Sequence, residues 1–166
     1  MQGRLKATIL GPVPSRPSGA VRYVAFPDPH DYPSMRPSSS HTRNGHSVVL
    51  RLDYGDHSFL FGGDLNIPAQ KHLLREHGDA SLFRVDVAKA CHHGSSDFLT
   101  DYLKKVRPHV NVFSSGGNKS FDHPMADALG ATGRHTRGDH PLLFSTEIAR
   151  ATSSGGQTHY GIDQCP

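Results

Sequence analysis

The sequence predicts an α/β layered fold in which helices cover a mixed, partly antiparallel sheet. Three observations predict it. Two apolar runs, residues 48–54 and 57–61, flank the turn signal Gly55-Asp56 and read as an antiparallel hairpin. After the hairpin, strand-like runs at 82–90, 110–114 and 142–146 alternate with segments of helical spacing. Third, three of the strand-like runs end in short polar stretches rich in Gly, His and Ser, the kind of sequence that carries sites at strand ends.

Residues 5–10 alternate and then turn apolar, which predicts a strand stopped by Gly11-Pro12. Residues 14–43 are rich in Pro, Ser and Gly and read as one long loop, with 21–26 a candidate strand inside it. Residues 68–77 have helical spacing, with Ala69, Leu73 and Leu74 on one face and Pro68 in the first turn. A helix over 97–106 has Ser95 or Ser96 as its expected cap and ends at Pro108. Its apolar face is Phe98, Leu99, Tyr102, Leu103 and Val106. Pro124 opens a short helix at 125–129. Residues 1–150 form one domain, and the polar, Gly-rich residues 151–166 read as a frayed tail.

Composition narrows the function classes. The 17 Gly and 12 Pro require much loop around the ordered core. The net charge of +3 permits a phosphate-rich partner, but the basic residues are scattered. A dedicated DNA-binding module is disfavoured, because neither a basic helix nor an aromatic platform is visible. No apolar run approaches the roughly 18 residues of a membrane span, and no signal-like segment opens the chain, so a cytoplasmic protein is the default expectation. Two cysteines, Cys91 and Cys165, do not make a disulfide framework.

Three stretches carry candidate chemistry. Phe61-Gly62-Gly63-Asp64 places a carboxylate just past a strand, where it can hold a metal or simply close a turn. Ala90-Cys91-His92-His93-Gly94-Ser95-Ser96 places two imidazoles at the next strand end, followed by an expected helix start. If the strand continued, the two rings would point to opposite sides. One would then be a metal ligand and the other a proton donor or an outer partner, or both would be ordinary loop residues. Residues 114–124 supply Ser115, Asn118 and His123, for a site or for a plain loop. Cys91 is either a thiolate ligand or a small buried residue.

Taken together, Asn44-x-x-Ser47, Phe61-Gly62-Gly63-Asp64, Asp86 through His92-His93-Gly94-Ser95, Ser115-Gly116-Gly117-Asn118 and His123-Pro124 resemble the metallo-β-lactamase-fold hydrolases. The nearest branch resembles the hydrolase domain of ComEC-type DNA-uptake proteins. The resemblance implies an αββα sandwich with a Zn or Mn site and a metal-activated water acting on a phosphodiester or similar substrate. It makes Asp64, His92 and His93 the metal residues, Asp64, His93 and His123 the catalytic ones, and Ser95, Ser115 and Asn118 the substrate-binding ones. The family's leading motif, His-x-His-x-Asp-His, is absent; His30-Asp31, His41 and His46 have the wrong spacing. The chain therefore matches only the C-terminal half of such a domain. Expected consequences are partial metal binding, an exposed sheet face, and a partner that is the missing N-terminal half or a second copy. Nucleic acid or another phosphate compound is the expected substrate. The alternative is a non-catalytic, degenerate or split half-domain that binds a partner.

Overall fold

The computed structural model describes residues 4–14, 19–20, 22–27, 36–116 and 121–146. Ten regular elements follow the order β1 (Leu5–Gly11), α1 (Ser39–Gly45), β2 (Val49–Tyr54), β3 (His57–Phe61), α2 (Ile67–His77), β4 (Val87–Lys89), α3 (Thr100–Val106), β5 (Val110–Phe113), α4 (Ala126–Arg134) and β6 (Leu142–Ser145). The six strands form one mixed sheet in sequence order, β1-β2-β3-β4-β5-β6. The first three are antiparallel, and β3 to β6 are parallel. The predicted α/β class with covering helices holds.

This topology decides which side of the sheet is covered. A crossover between parallel strands is right-handed almost without exception. Here three crossovers in a row advance the same way across the sheet, so α2, α3 and α4 land on one face. The helices accordingly pack in a single row, α1 on α2, α2 on α3 and α3 on α4. Under them Leu10, Val49, Leu60, Ala88 and Phe113 project from five strands into a core shared with Ala69, Leu73, Phe83, Tyr102, Val106 and Ala128.

The opposite face has no helix among the described residues. By the strand register, Leu5 and Ile9 (β1), Leu50 and Tyr54 (β2), Phe59 and Phe61 (β3), Val87 (β4), Val112 (β5) and Leu142 and Phe144 (β6) all lie on it. Ile9 is 70 % exposed, Phe144 59 % and Phe61 42 %. An apolar face six strands wide is far more than the scattered apolar residues of an ordinary surface.

Several expectations need correction. The long loop does not run to 43, because α1 begins at Ser39, where the Ser38 hydroxyl accepts from the His41 amide. Residues 22–26 belong to no named strand; Pro27 makes an isolated bridge with Pro37. The strand expected over 82–90 is only Val87–Lys89, because Ala80–Phe83 form a 3-10 turn that buries Phe83. The helix expected from 97 starts at Thr100, and Leu99 precedes it without a side-chain cap. The helix after Pro124 is longer than expected, reaching Arg134. His30-Asp31, Asn118 and the tail 151–166 lie outside the described residues.

Candidate functional site

Strands β3, β4 and β5 are parallel, so their C-terminal ends share one edge of the sheet. The three polar stretches leave from those ends and converge there. The Gly62-Gly63 pair makes the first exit possible. A Cβ on Gly62 would lie 2.5 Å from the Cys91 sulfur, and one on Gly63 would lie 2.5 Å from the Ser47 Cβ. Gly63 also has φ +58°, in the left-handed region. The Asp64 amide then donates to the Ser47 hydroxyl at 2.9 Å. Ser47, just ahead of β2, thus fixes the start of the Asp64 turn.

The second exit is not a continuing strand. Cys91–Gly94 form a 3-10 turn in which His92 and His93 have φ of 47° and 55°, and Gly94 has φ +88°. Three successive left-handed residues are costly for side-chain-bearing positions, and strain of this kind collects at functional sites. The alternation expected of the two rings therefore does not apply. Ser95 and Ser96 do not cap a helix. The Ser95 hydroxyl accepts from the Asp97 amide, and the Ser96 hydroxyl donates to Asp127. The anion-binding helix start expected after the His pair is absent, since α3 opens only at Thr100.

Backbone contacts lock the turn to its neighbours. The His92 amide donates to the Gly63 carbonyl at 2.9 Å, and the Met125 amide donates to the Gly94 carbonyl at 2.8 Å. A Cβ on Gly94 would meet Phe113 and Pro124 at 2.7 Å. His123 is thereby brought beside His92, with ring centroids 5.7 Å apart.

The electrostatics of the cluster are specific. His93 Nδ1 lies 2.5 Å from the Ser114 carbonyl oxygen. A carbonyl can only accept, so the Nδ1 proton is committed to it. His93 Nε2 then faces Asp64 Oδ1 at 3.4 Å. In a neutral ring that nitrogen carries a lone pair, and a lone pair opposite a carboxylate calls for a cation between or upon them, a proton or a metal. Nδ1 of His92 and Nδ1 of His123 are buried with no hydrogen-bond partner among the described residues. Burial lowers the pKa of both rings; Asp64 partly counters this at His92, and the neighbouring His92 adds to it at His123. Both rings are therefore held towards the neutral, lone-pair-bearing form. Cys91 is different: burial pushes its thiol up to about 11, so it is a packing residue beside Tyr102 and not a thiolate.

Among the described residues, no three His, Cys, Asp or Glu side chains converge closely enough to form a metal site as they stand. Asp64 and His93, and His92 and His123, instead lie side by side in pairs at this edge of the sheet. Beside it opens a cavity of about 360 Å³ lined by His93, Ser114, Ser115, Gly116, Phe121 and His123. Ser115 lies on this cavity, whereas Ser95 is used within its own turn.

Reading by motif did not assign roles to Ser47, Lys89, His41 or Asp97. Lys89 donates to the Ala90 carbonyl at 3.1 Å. Asp97 is held by the Ile67 amide and lies 3.6 Å from His41. Only Ser47 had a signal in sequence, the Asn44-x-x-Ser47 spacing. His46, His72 and His77 bond to the carbonyls of Val24, Val13 and Leu10, which accounts structurally for part of the His-rich composition.

With this geometry in place, comparison with known proteins gives a class and then particular relatives. The chain is similar to segments of ComEC-like competence proteins. It is 33% identical over 128 residues to Competence protein ComA of Neisseria gonorrhoeae, covering 75% of this chain and 18% of that protein. It is 36% identical over 74 residues to Recombination protein 2 of Haemophilus influenzae, covering 44% of this chain and 9% of that protein. It is 26% identical over 96 residues to ComE operon protein 3 of Bacillus subtilis, covering 57% and 12%. The matched segments thus span less than a fifth of each of these relatives. No family model matches the chain, and no solved structure matches it. Among the described residues no helix is long and apolar enough to cross a membrane.

Proposed function

We propose that this chain is the C-terminal part of a metal-dependent hydrolase that acts on a phosphodiester or similar bond, in the setting of DNA uptake that its competence-protein relatives suggest. The observation that carries the reading is the Asp64–His93 contact. The Nδ1 side of His93 is turned to the Ser114 carbonyl, so its Nε2 faces the Asp64 carboxylate at 3.4 Å, a nitrogen and an oxygen that could share one metal ion. The partnerless Nδ1 atoms of His92 and His123 supply further neutral donors nearby. Carboxylate oxygen with neutral imidazole nitrogen is a donor set suited to Zn or Mn. Asp64, His92 and His93 are the residues that would hold the ion. A bound ion there would lower the pKa of a coordinated water towards neutrality.

The chain's own residues then have distinct tasks. Asp64 supplies negative charge fixed by the Ser47 clamp. The Ser114 carbonyl sets the tautomer and direction of His93. His123, at the cavity, is placed to pass a proton to or from the substrate. The bare apolar face is where we place an N-terminal half of the domain, as the other layer of an αββα sandwich and the opposite wall of the site. A second reading, a non-catalytic half-domain that binds a partner, draws on the same bare face.

Metal uptake and turnover separate these readings. Mass spectrometry and calorimetry with Zn or Mn are expected to show weak binding that Asp64→Ala and His93→Ala reduce. Hydrolysis of bis-p-nitrophenyl phosphate is expected only once a preceding half is supplied. Absence of any metal uptake would favour the partner-binding reading. Turnover by this chain alone, lost on Asp64→Ala, would overturn the half-site argument.

A further inference from the structure

We propose that Lys89 is the anchor of the bare face: the layer that covers this face sets a carboxylate, carried among apolar side chains, opposite the Lys89 ammonium, and a second copy of the chain does not cover it. This rests on the reading that places an N-terminal half there and gives that half a chemistry; it uses none of the metal chemistry.

The strand register fixes what the face offers. Lys89 shares a row with Phe61, Val112 and Phe144, and the row beside it holds Phe59, Val87, Val110 and Leu142. Lys89 is half-buried there, in a groove of about 370 Å³ that Phe59, Phe61, Val87 and Val112 also line. The one acidic residue within the six strands, Asp53, pairs with Lys6 and Ser58 on the covered face and is bound by Arg51. On the bare face the strands therefore present no Asp or Glu. Besides Lys89, only His57, at the far end of β3, can become cationic there near neutral pH.

The ammonium has three N–H donors. One goes to the Ala90 carbonyl at 3.1 Å and a weaker one to the Gly63 carbonyl at 3.5 Å. Neither acceptor is charged. While the face is open, water completes the set. A cover expels that water, and a buried ammonium is tolerated only with a counter-charge. Two copies face to face would bring cations and apolar groups to each other's lysine and no carboxylate. Lys89 thus works against self-docking, as a repulsive element that favours one kind of partner over another.

The test titrates the full chain with dodecanoate and with dodecyltrimethylammonium, both below their micelle concentrations, by calorimetry. The two probes share an apolar tail and differ in the sign of the head. The native chain should bind dodecanoate about tenfold more tightly, as expected for one hydrogen-bonded charge pair. Lys89→Met should abolish that preference, and Lys71→Met, on the exposed side of α2, should keep it. In sedimentation velocity, Lys89→Met should self-associate more strongly than the native chain. Equal binding of the two probes, a preference that survives Lys89→Met or falls equally with Lys71→Met, or native self-association as strong as that of Lys89→Met would overturn the proposal. Failure of the covering reading would show separately, as no stable complex with a supplied N-terminal half while the Lys89-dependent preference for dodecanoate stays intact.

Discussion

The two faces of the sheet are made by the same six strands, yet among the described residues the more apolar face is the one that no helix covers. One carries Leu10, Val49, Leu60, Ala88 and Phe113 under a row of helices; the other carries Leu5, Ile9, Tyr54, Phe61, Leu142 and Phe144 in the open. Alternation alone would bury the other face, since the covered one also carries Lys6, Thr8, Arg51, Asp53, Ser58 and Asn111. The direction in which the crossovers advance decides it. A sheet whose strand order reversed midway would send helices to both sides. This one does not reverse. The free energy stored in the bare face, at about 25 cal/mol per Å² of apolar surface, is available to whatever covers it.

Substitutions on the two faces measure that difference. Phe83→Ala, under the helix layer, should cost about 3–5 kcal/mol in urea unfolding, against under about 1 kcal/mol for Phe144→Ala on the open face. Equal losses would mean that the open face is covered, and the comparison would break. Gly94→Ala should come next, at about 1–3 kcal/mol, because its Cβ overpacks Phe113 on the covered side. On the open side, Phe61→Lys together with Phe144→Lys should leave the unfolding midpoint nearly unchanged. The pair should reduce self-association by light scattering and lower binding of an apolar dye. Unchanged association would put the sticky surface elsewhere.

The smallest effect is a pH dependence. Cys91 sits on the covered side with its pKa raised from 9.0 to about 11. The folded state therefore favours the neutral thiol. As pH rises past 9 the unfolded chain releases this proton first, and the thiol's contribution to stability falls until about 11. Cys91 should also resist alkylation at pH 8 until the chain is unfolded; rapid native labelling would place the thiol in solvent.

Much of the fold was legible because it rests on local patterns. The β2–β3 hairpin follows from Gly55-Asp56 between apolar runs, and α2 from its spacing with Pro68 at the start. What was not legible depends on tertiary context. Helix α1 is polar throughout and forms because Ser38 caps it and Asn66 donates to its His41 carbonyl. Strand β4 is short because Phe83 and Val85 are buried by a turn and a bend, which look like strand in an apolar pattern. At the site, convergence of Asp64, His92, His93 and His123 follows from their positions after successive strands. The left-handed backbone of the His pair does not, since only Gly94 marks it.

The Ser114 carbonyl has one further consequence. It accepts the His93 proton and also borders the cavity. On the proposed reading, a molecule entering the cavity and a cation held at Asp64 would act on the two ends of one imidazole. If either aligns that ring, it does so on behalf of the other, and linkage requires the benefit to be equal in both directions. On the proposed reading the ring would couple the two ligands, and the size of that coupling can be read by titrating each in the presence of the other.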